Sequence, residues 1–136
     1  MIIGTGVDII EINRFADKDN SPKFMSRIFT ANEQNYLKKR GVQSMAGLFA
    51  AKEAVVKALG TGFKGFWPCD VEIAHDKFGK PYVILHGAAK RQLKKEAATH
   101  MRKRNKRSCF HISVSISHNE KDVIAFAVIE CRPRRF

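Results

Sequence analysis

Apolar and polar positions along the chain change their period several times, and each change marks an expected element. Ile2 to Ile10 is apolar and β-branched, interrupted by Gly4, Thr5, Gly6 and Asp8, which predicts a buried N-terminal strand with Asp8 at or near its end. From Glu11 to Phe29 apolar residues recur at Ile12, Phe15, Phe24 and Ile28, and Asn20-Ser21-Pro22 breaks the run. Two short helical pieces are expected there, carrying Arg14, Lys18, Lys23 and Arg27 as a basic surface around apolar anchors. Thr30-Ala31-Asn32-Glu33 has the form of a capping box, in which the Thr30 hydroxyl accepts from the Glu33 amide while the Glu33 carboxylate reaches back, so a helix should run from there to about Arg40. Leu48, Ala51, Val55, Ala58 and Leu59 form the apolar stripe of a long helix from about Ser44, with Gly60 placed to end it.

Asp70 to Ala74 and Pro81 to Leu85 read as strands flanking the turn Asp76-Lys77-Phe78-Gly79-Lys80. Ala88 to about Arg102 returns to helical composition, and Phe110 to Ser117 and Val123 to Glu130 alternate in β fashion around His118-Asn119-Glu120-Lys121-Asp122. The whole reads as α+β, with no internal repeat and no low-complexity linker. A chain of 136 residues with 44% apolar content buries one core, so residues 1–136 are expected to form a single domain.

No stretch approaches the roughly 20 consecutive apolar residues of a membrane helix, and Met1-Ile2-Ile3-Gly4 lacks the charged and apolar regions of a signal peptide. A soluble, cytoplasmic protein is expected. Cys69, Cys109 and Cys131 are widely spaced and odd in number, which suggests neither a disulfide framework nor a zinc site. The formal charge of +12 raises the encounter rate with any polyanion: nucleic acid, anionic lipid or an acidic protein. A nucleic-acid-binding module would need aromatic stacking platforms or a recognition motif, and the sequence offers neither.

Chemistry is concentrated in a few places. The long helix sets Phe49, Glu53, Lys57 and Gly60 along one flank, since residues three or four apart are neighbours, although Glu53 and Lys57 also suit a plain solvated ion pair. Lys57-Ala58-Leu59-Gly60-Thr61-Gly62 could bring backbone amides and a lysine close to phosphate oxygens; a helix C-cap and turn explain the glycines equally well. Asp8 is the odd carboxylate in an apolar strand. It could share a hard cation with Glu53 if the strand packs on the helix, or it could cap the segment at Glu11. Ser113 to His118 alternates hydroxyls with apolar residues and ends in a histidine at a turn, which also describes an exposed hairpin face. His75, His86, His100 and His111 show no metal-ligand spacing and receive no role.

Three segments, in order, resemble the signature of the phosphopantetheinyl transferases. Gly6-Val7-Asp8 is similar to the family's first motif, Phe49-Ala50-Ala51-Lys52-Glu53-Ala54-Val55-Val56-Lys57-Ala58 resembles its W/F-x-x-K-E-x-x-x-K motif, and Ser115-Ile116-Ser117-His118 resembles its substrate-binding serine-histidine turn. The short length and the run from Lys57 to Gly62 point to the small acyl-carrier-protein synthase branch, with similarity from Ile2 to Glu130. The resemblance implies the phosphopantetheinyl transferase fold, an α+β subunit with an antiparallel sheet packed on a long helix, assembled as a homotrimer with coenzyme A bound between neighbouring subunits.

It further implies a magnesium-dependent transfer of 4'-phosphopantetheine from coenzyme A to a serine of acyl carrier protein, with release of 3',5'-ADP, in fatty acid biosynthesis. Asp8 and Glu53 would hold the metal, and Glu53 and Lys57 would be catalytic. Lys57, Gly60, Thr61 and Gly62 would meet the pyrophosphate region, while Pro81 of Gly79-Lys80-Pro81 would border the adenine. Ser117 and His118 of the adjacent subunit would contact the nucleotide. The general base stays open between a water on the metal and Glu53; where some relatives carry an acidic side chain after Glu33, this chain has Gln34 and Asn35. With an acidic carrier as partner, Arg14, Lys18, Lys23 and Arg27 would steer it and Phe15, Phe24 and Ile28 would supply apolar contacts. Lys94, Lys95 and the run Arg102-Lys103-Arg104-Asn105-Lys106-Arg107 look unlike the family core and carry no assigned role.

Overall fold

The computed structural model describes residues 1–101 and 108–133. The N-terminal run forms strand β1 (Ile2–Glu11), which pairs antiparallel with β5 (Asp122–Pro133); β5 in turn pairs with β4 (Ser108–His118), giving the sheet order β1-β5-β4. Asp8 lies opposite Ala125, Val7 opposite Phe126 and Ile9 opposite Ile124. The expected burial of the first strand holds on one face only. Gly6, Ile10, Val123, Ala125, Ala127 and Ile129 turn inward, whereas Val7, Ile9, Ile124 and Phe126 stay exposed on the outer face. An antiparallel sheet covered on one side buries alternate residues.

Helix α3 (Val42–Leu59) is the centre of the molecule, against which β1, β4, β5 and β2 pack. Its burial extends well beyond the expected stripe, taking in Met45, Ala46, Ala50, Ala54 and Val56. The helix ends at Gly60, in the left-handed conformation (φ 79°) that a C-cap requires. Small residues let β1 lie almost on the helix backbone: a Cβ at Gly4 would fall 1.9 Å from the Ala58 carbonyl oxygen, and one at Gly6 would fall 1.9 Å from that of Ala54.

The segment from Glu11 to Phe29 is less helical than its spacing predicts. Two 3-10 turns, Ile12–Phe15 and Lys18–Asn20, precede α1 (Pro22–Ile28), which Ser21 caps by accepting from the Phe24 amide. The capping box is realised at α2 (Ala31–Leu37): Thr30 N donates to Glu33 Oε1 at 2.9 Å and Glu33 N to Thr30 Oγ1 at 3.2 Å. The helix stops at Leu37, short of Arg40.

Strand β2 (Val71–His75) starts one residue later than expected because Asp70 closes a 3-10 turn, Pro68–Asp70. β2 pairs with β3 (Pro81–Leu85) across a turn in which Asp76 Oδ1 accepts from Phe78 N at 2.8 Å and Lys80 N at 2.9 Å, with Gly79 at φ 82°. Helix α4 (Gly87–Met101) follows; the basic run 102–107 lies outside the described residues. No helix among those residues is long and apolar enough to cross a membrane.

A buried polar network joins these layers. Lys52 Nζ donates to Glu33 Oε1 at 2.7 Å, to the Val71 carbonyl at 2.6 Å and to the Pro68 carbonyl at 3.0 Å, and Ile73 N donates to Glu33 Oε2 at 3.0 Å. Beside it, Thr30 Oγ1 donates to Glu72 Oε1 at 2.6 Å and His86 Nε2 lies 3.2 Å from Glu72 Oε2. Among the described residues no buried side-chain nitrogen or oxygen lacks a partner.

Candidate active site

Close packing of β1 on α3 brings Asp8, from the first motif, to Lys57, from the second. Lys57 Nζ donates to Asp8 Oδ1 at 2.8 Å and to the Val7 carbonyl at 3.0 Å. The solvated Glu53–Lys57 pair is therefore not the arrangement adopted: the ammonium crosses to the strand. Glu53, one turn earlier on the helix, is half-buried, and burial together with the negative charge of Asp8 pushes its carboxyl above the usual carboxylate range, against the pull of Lys57 and Arg14. Two carboxylates set this close favour a cation between them. Their oxygen donors fit a hard divalent ion such as magnesium, which takes one or two protein carboxylates and keeps waters and phosphate oxygens for its remaining positions.

Beyond Lys57 the chain turns sharply through Gly60, Thr61 and Gly62, with Gly62 at φ 62° and Thr61 Oγ1 donating to the Gly62 carbonyl at 3.1 Å. Gly60 and Gly62 thus take positive φ at the end of the helix, with nothing within 4 Å of where a Cβ would sit at either. The remaining candidates lie in another place. Pro81 and His118, with Lys80, His75, Tyr36 and Ser115, line a cleft of about 530 Å³. Asp8, Glu53 and Lys57 are not among the described residues that line it, and Ser117 lies just outside it, on β4 opposite Ile124. Within the one chain the structure therefore assembles the carboxylates and lysine but does not bring them together with Pro81, Ser117 and His118.

On the basic segment, Arg14, Lys18, Lys23 and Arg27 are exposed and Phe24 and Ile28 half-exposed. Phe15 is a correction. It is only 4% exposed, its ring 5.3 Å from that of Phe49 and 6.2 Å from that of Phe24, so it anchors the segment to α3 and offers no side chain for docking.

Sequence reasoning missed three features. Lys52 shares a motif with Glu53 yet points into the core, and only its place in a run of alanines and valines hints at that. His75 stacks on Tyr36 with ring centroids 4.2 Å apart and planes 3° apart, and the Arg40 guanidinium covers the Tyr36 ring at 3.9 Å. Burial and the nearby Arg40 hold the His75 ring below the usual histidine pKa, which keeps it neutral at pH 7. Trp67, which no motif singled out, is prominently exposed.

Known proteins match this chain over nearly its whole length. The model of the 4'-phosphopantetheinyl transferase superfamily matches residues 4–124. A holo-[acyl-carrier-protein] synthase of Clostridium tetani is 44% identical over 135 residues, covering 96% of this chain and 97% of its own length. Among solved structures, a holo-(acyl-carrier-protein) synthase from Bacillus anthracis in complex with CoA (3',5'-ADP) superposes with a TM-score of 0.72 at 36% identity, covering 96% of this chain and 97% of that one. The holo-[acyl-carrier-protein] synthase of Neisseria meningitidis superposes with a TM-score of 0.74 at 33% identity, covering 96% and 99%. With Asp8 of the first motif meeting Lys57 of the second and the match running almost end to end, the chain belongs to the 4'-phosphopantetheinyl transferase superfamily.

Proposed function

We propose that this protein is a holo-[acyl-carrier-protein] synthase, which moves the 4'-phosphopantetheine of coenzyme A onto a serine of apo acyl carrier protein. The observation that carries the reading is the meeting of Asp8, Glu53 and Lys57, from motifs far apart in sequence, at one partly open place. In the reaction the serine oxygen forms a bond to the β-phosphorus of coenzyme A, the pyrophosphate bridge breaks, and 3',5'-ADP leaves with the bonding electrons. Lys57, fixed by Asp8 and the Val7 carbonyl, is assigned to the pyrophosphate, where its charge offsets the negative charge that grows on the leaving oxygen. Gly60, Thr61 and Gly62 border the same phosphates. The serine must lose its proton. Glu53 is the candidate base, since burial and Asp8 raise its proton affinity, while Gln34 and Asn35 offer no carboxylate; Gln34 Nε2 instead donates to the Phe29 carbonyl at 3.0 Å. A magnesium ion held by Asp8 and Glu53 would supply Lewis-acid neutralisation of the phosphates.

The nucleotide is assigned to the cleft bordered by Pro81 and His118, with Ser117 at its edge. Because one subunit keeps that cleft apart from Lys57, the reading includes a homotrimer of single-domain subunits in which a neighbour completes each site. The apolar outer sheet face of Val7, Ile9, Ile124 and Phe126 supports such an assembly. The carrier docks on Arg14, Lys18, Lys23, Phe24, Arg27 and Ile28, and the reaction serves fatty acid biosynthesis in the cytoplasm.

Mass spectrometry tests this directly. An apo acyl carrier protein incubated with the enzyme, coenzyme A and magnesium should gain one phosphopantetheine on serine, and EDTA should abolish the gain. Glu53→Gln should retain its circular dichroism and lose turnover by about a hundredfold or more; full activity in that variant would remove Glu53 from the site.

A further inference from the structure

Trp67 is the chain's one tryptophan, and 66% of it is exposed, so core packing does not account for it. It stands with Pro68 on one side of a cleft of about 420 Å³ whose other side is α1, through Lys23, Phe24, Arg27 and Ile28. The corner that carries the indole is held from both sides. Lys52 Nζ, from α3, donates to the Pro68 carbonyl at 3.0 Å, the Cys69 thiol donates to the Arg27 carbonyl of α1 at 3.1 Å, and Trp67 N donates to Asp70 Oδ2 at 3.1 Å. The cleft is thus a preset apolar slot with two cations on its rim.

An indole carried on a held backbone corner is an efficient docking anchor, because little backbone freedom is lost when a partner covers it. Rim cations select a partner whose apolar side chain is flanked by acidic residues. A second copy of this chain fits poorly, since its own charge is +12. Resting on the carrier-protein reading above, we propose that this cleft seats an apolar side chain from an acidic helix of the carrier protein. Trp67 is then a specificity-determining contact of the transfer reaction, extending the docking surface from α1 to a corner remote in sequence.

The indole itself reports the contact. Titrating the intact enzyme with an apo acyl carrier protein that lacks tryptophan should shift Trp67 emission to shorter wavelength and saturate, while coenzyme A alone should leave it unchanged. Trp67→Ala should raise the KM for carrier about tenfold, about 1.4 kcal/mol, with kcat at saturating carrier and the KM for coenzyme A within about twofold of wild type. Trp67→Phe should recover most of the loss. Silent emission in a sample whose carrier is being modified, or an unchanged carrier KM in Trp67→Ala, would overturn the proposal. So would an emission shift on concentrating the enzyme alone, which would place a second copy in the cleft. Saturable emission change without any modification of the carrier would uphold the docking and sink the transferase reading instead.

Discussion

Lys52 and Glu53 are adjacent in sequence and meet opposite conditions: Lys52 is fully buried, while Glu53 opens on the site. Desolvation lowers the Lys52 pKa from its usual value, and Glu33 opposes the shift by pairing with the ammonium. Lys52→Ala would strand the Glu33 carboxylate in the core, and equilibrium urea unfolding should show a loss of about 3–5 kcal/mol. Glu72 gives the molecule an acid-sensitive element. Its burial favours the neutral acid, but hydrogen bonds from Thr30 and His86 outweigh this and hold its pKa below the usual carboxylate value. A carboxylate with a depressed folded pKa contributes stability above its unfolded pKa, and that contribution is lost as pH falls through the folded value. Thermal midpoints measured from about pH 7 to about pH 3 should therefore fall less steeply in Glu72→Gln than in wild type. The sequence shows half of this: Thr30-Ala31-Asn32-Glu33 announces its own local cap, but a four-residue pattern carries no information about Lys52 or Glu72, which reach it only through the fold. Phe15 teaches the same. Its apolar character is plain in the pattern, yet which aromatic turns inward is decided by Phe49 on α3.

At the level of elements, period was a dependable guide where a segment has one environment along its length. The long helix, the Asp76–Lys80 turn and the β4–β5 hairpin were all legible, because helix and strand spacings are distinct and Gly79 and Gly60 punctuate them. The short pieces before α1 were not, since a few apolar positions at irregular spacing fit 3-10 turns as well as helix. Gly4 and Gly6 looked like interruptions of a strand; their reason is the helix beneath them. Gly6→Ala would set a Cβ 1.9 Å from the Ala54 carbonyl oxygen and 2.7 Å from Ala58 N, backbone atoms that cannot step aside. Chemical denaturation should show a loss of about 3 kcal/mol, and because β1 carries Asp8, metal-dependent transfer should fall with it.

The whole molecule is where the sequence by itself says least: the trimer came from resemblance, since the outer residues Val7 and Ile9 read as strand interior until the sheet shows a single covered side. The proposed division of the site between subunits makes a sharp prediction. Glu53→Gln and His118→Ala, each inactive alone, should regain transfer activity when unfolded together and refolded, because mixed trimers contain some junctions with both halves intact. Phe126→Lys should sediment as a monomer and transfer nothing. A monomeric wild type of full activity would rule out the shared site.

The glycine contact between β1 and α3 has a further consequence, for turnover. Asp8, Glu53 and Lys57 ride on two elements whose backbones touch, which leaves little room for one to shift against the other. Whatever motion admits coenzyme A and releases 3',5'-ADP must then come from segments outside that contact. The run from Gly60 to Gly65, with glycines at φ 79°, 62° and 83°, and, in the proposed assembly, the facing subunit are the parts left to supply it. The pace of a cycle would then be set by product departure at that edge, while the reacting groups wait already aligned.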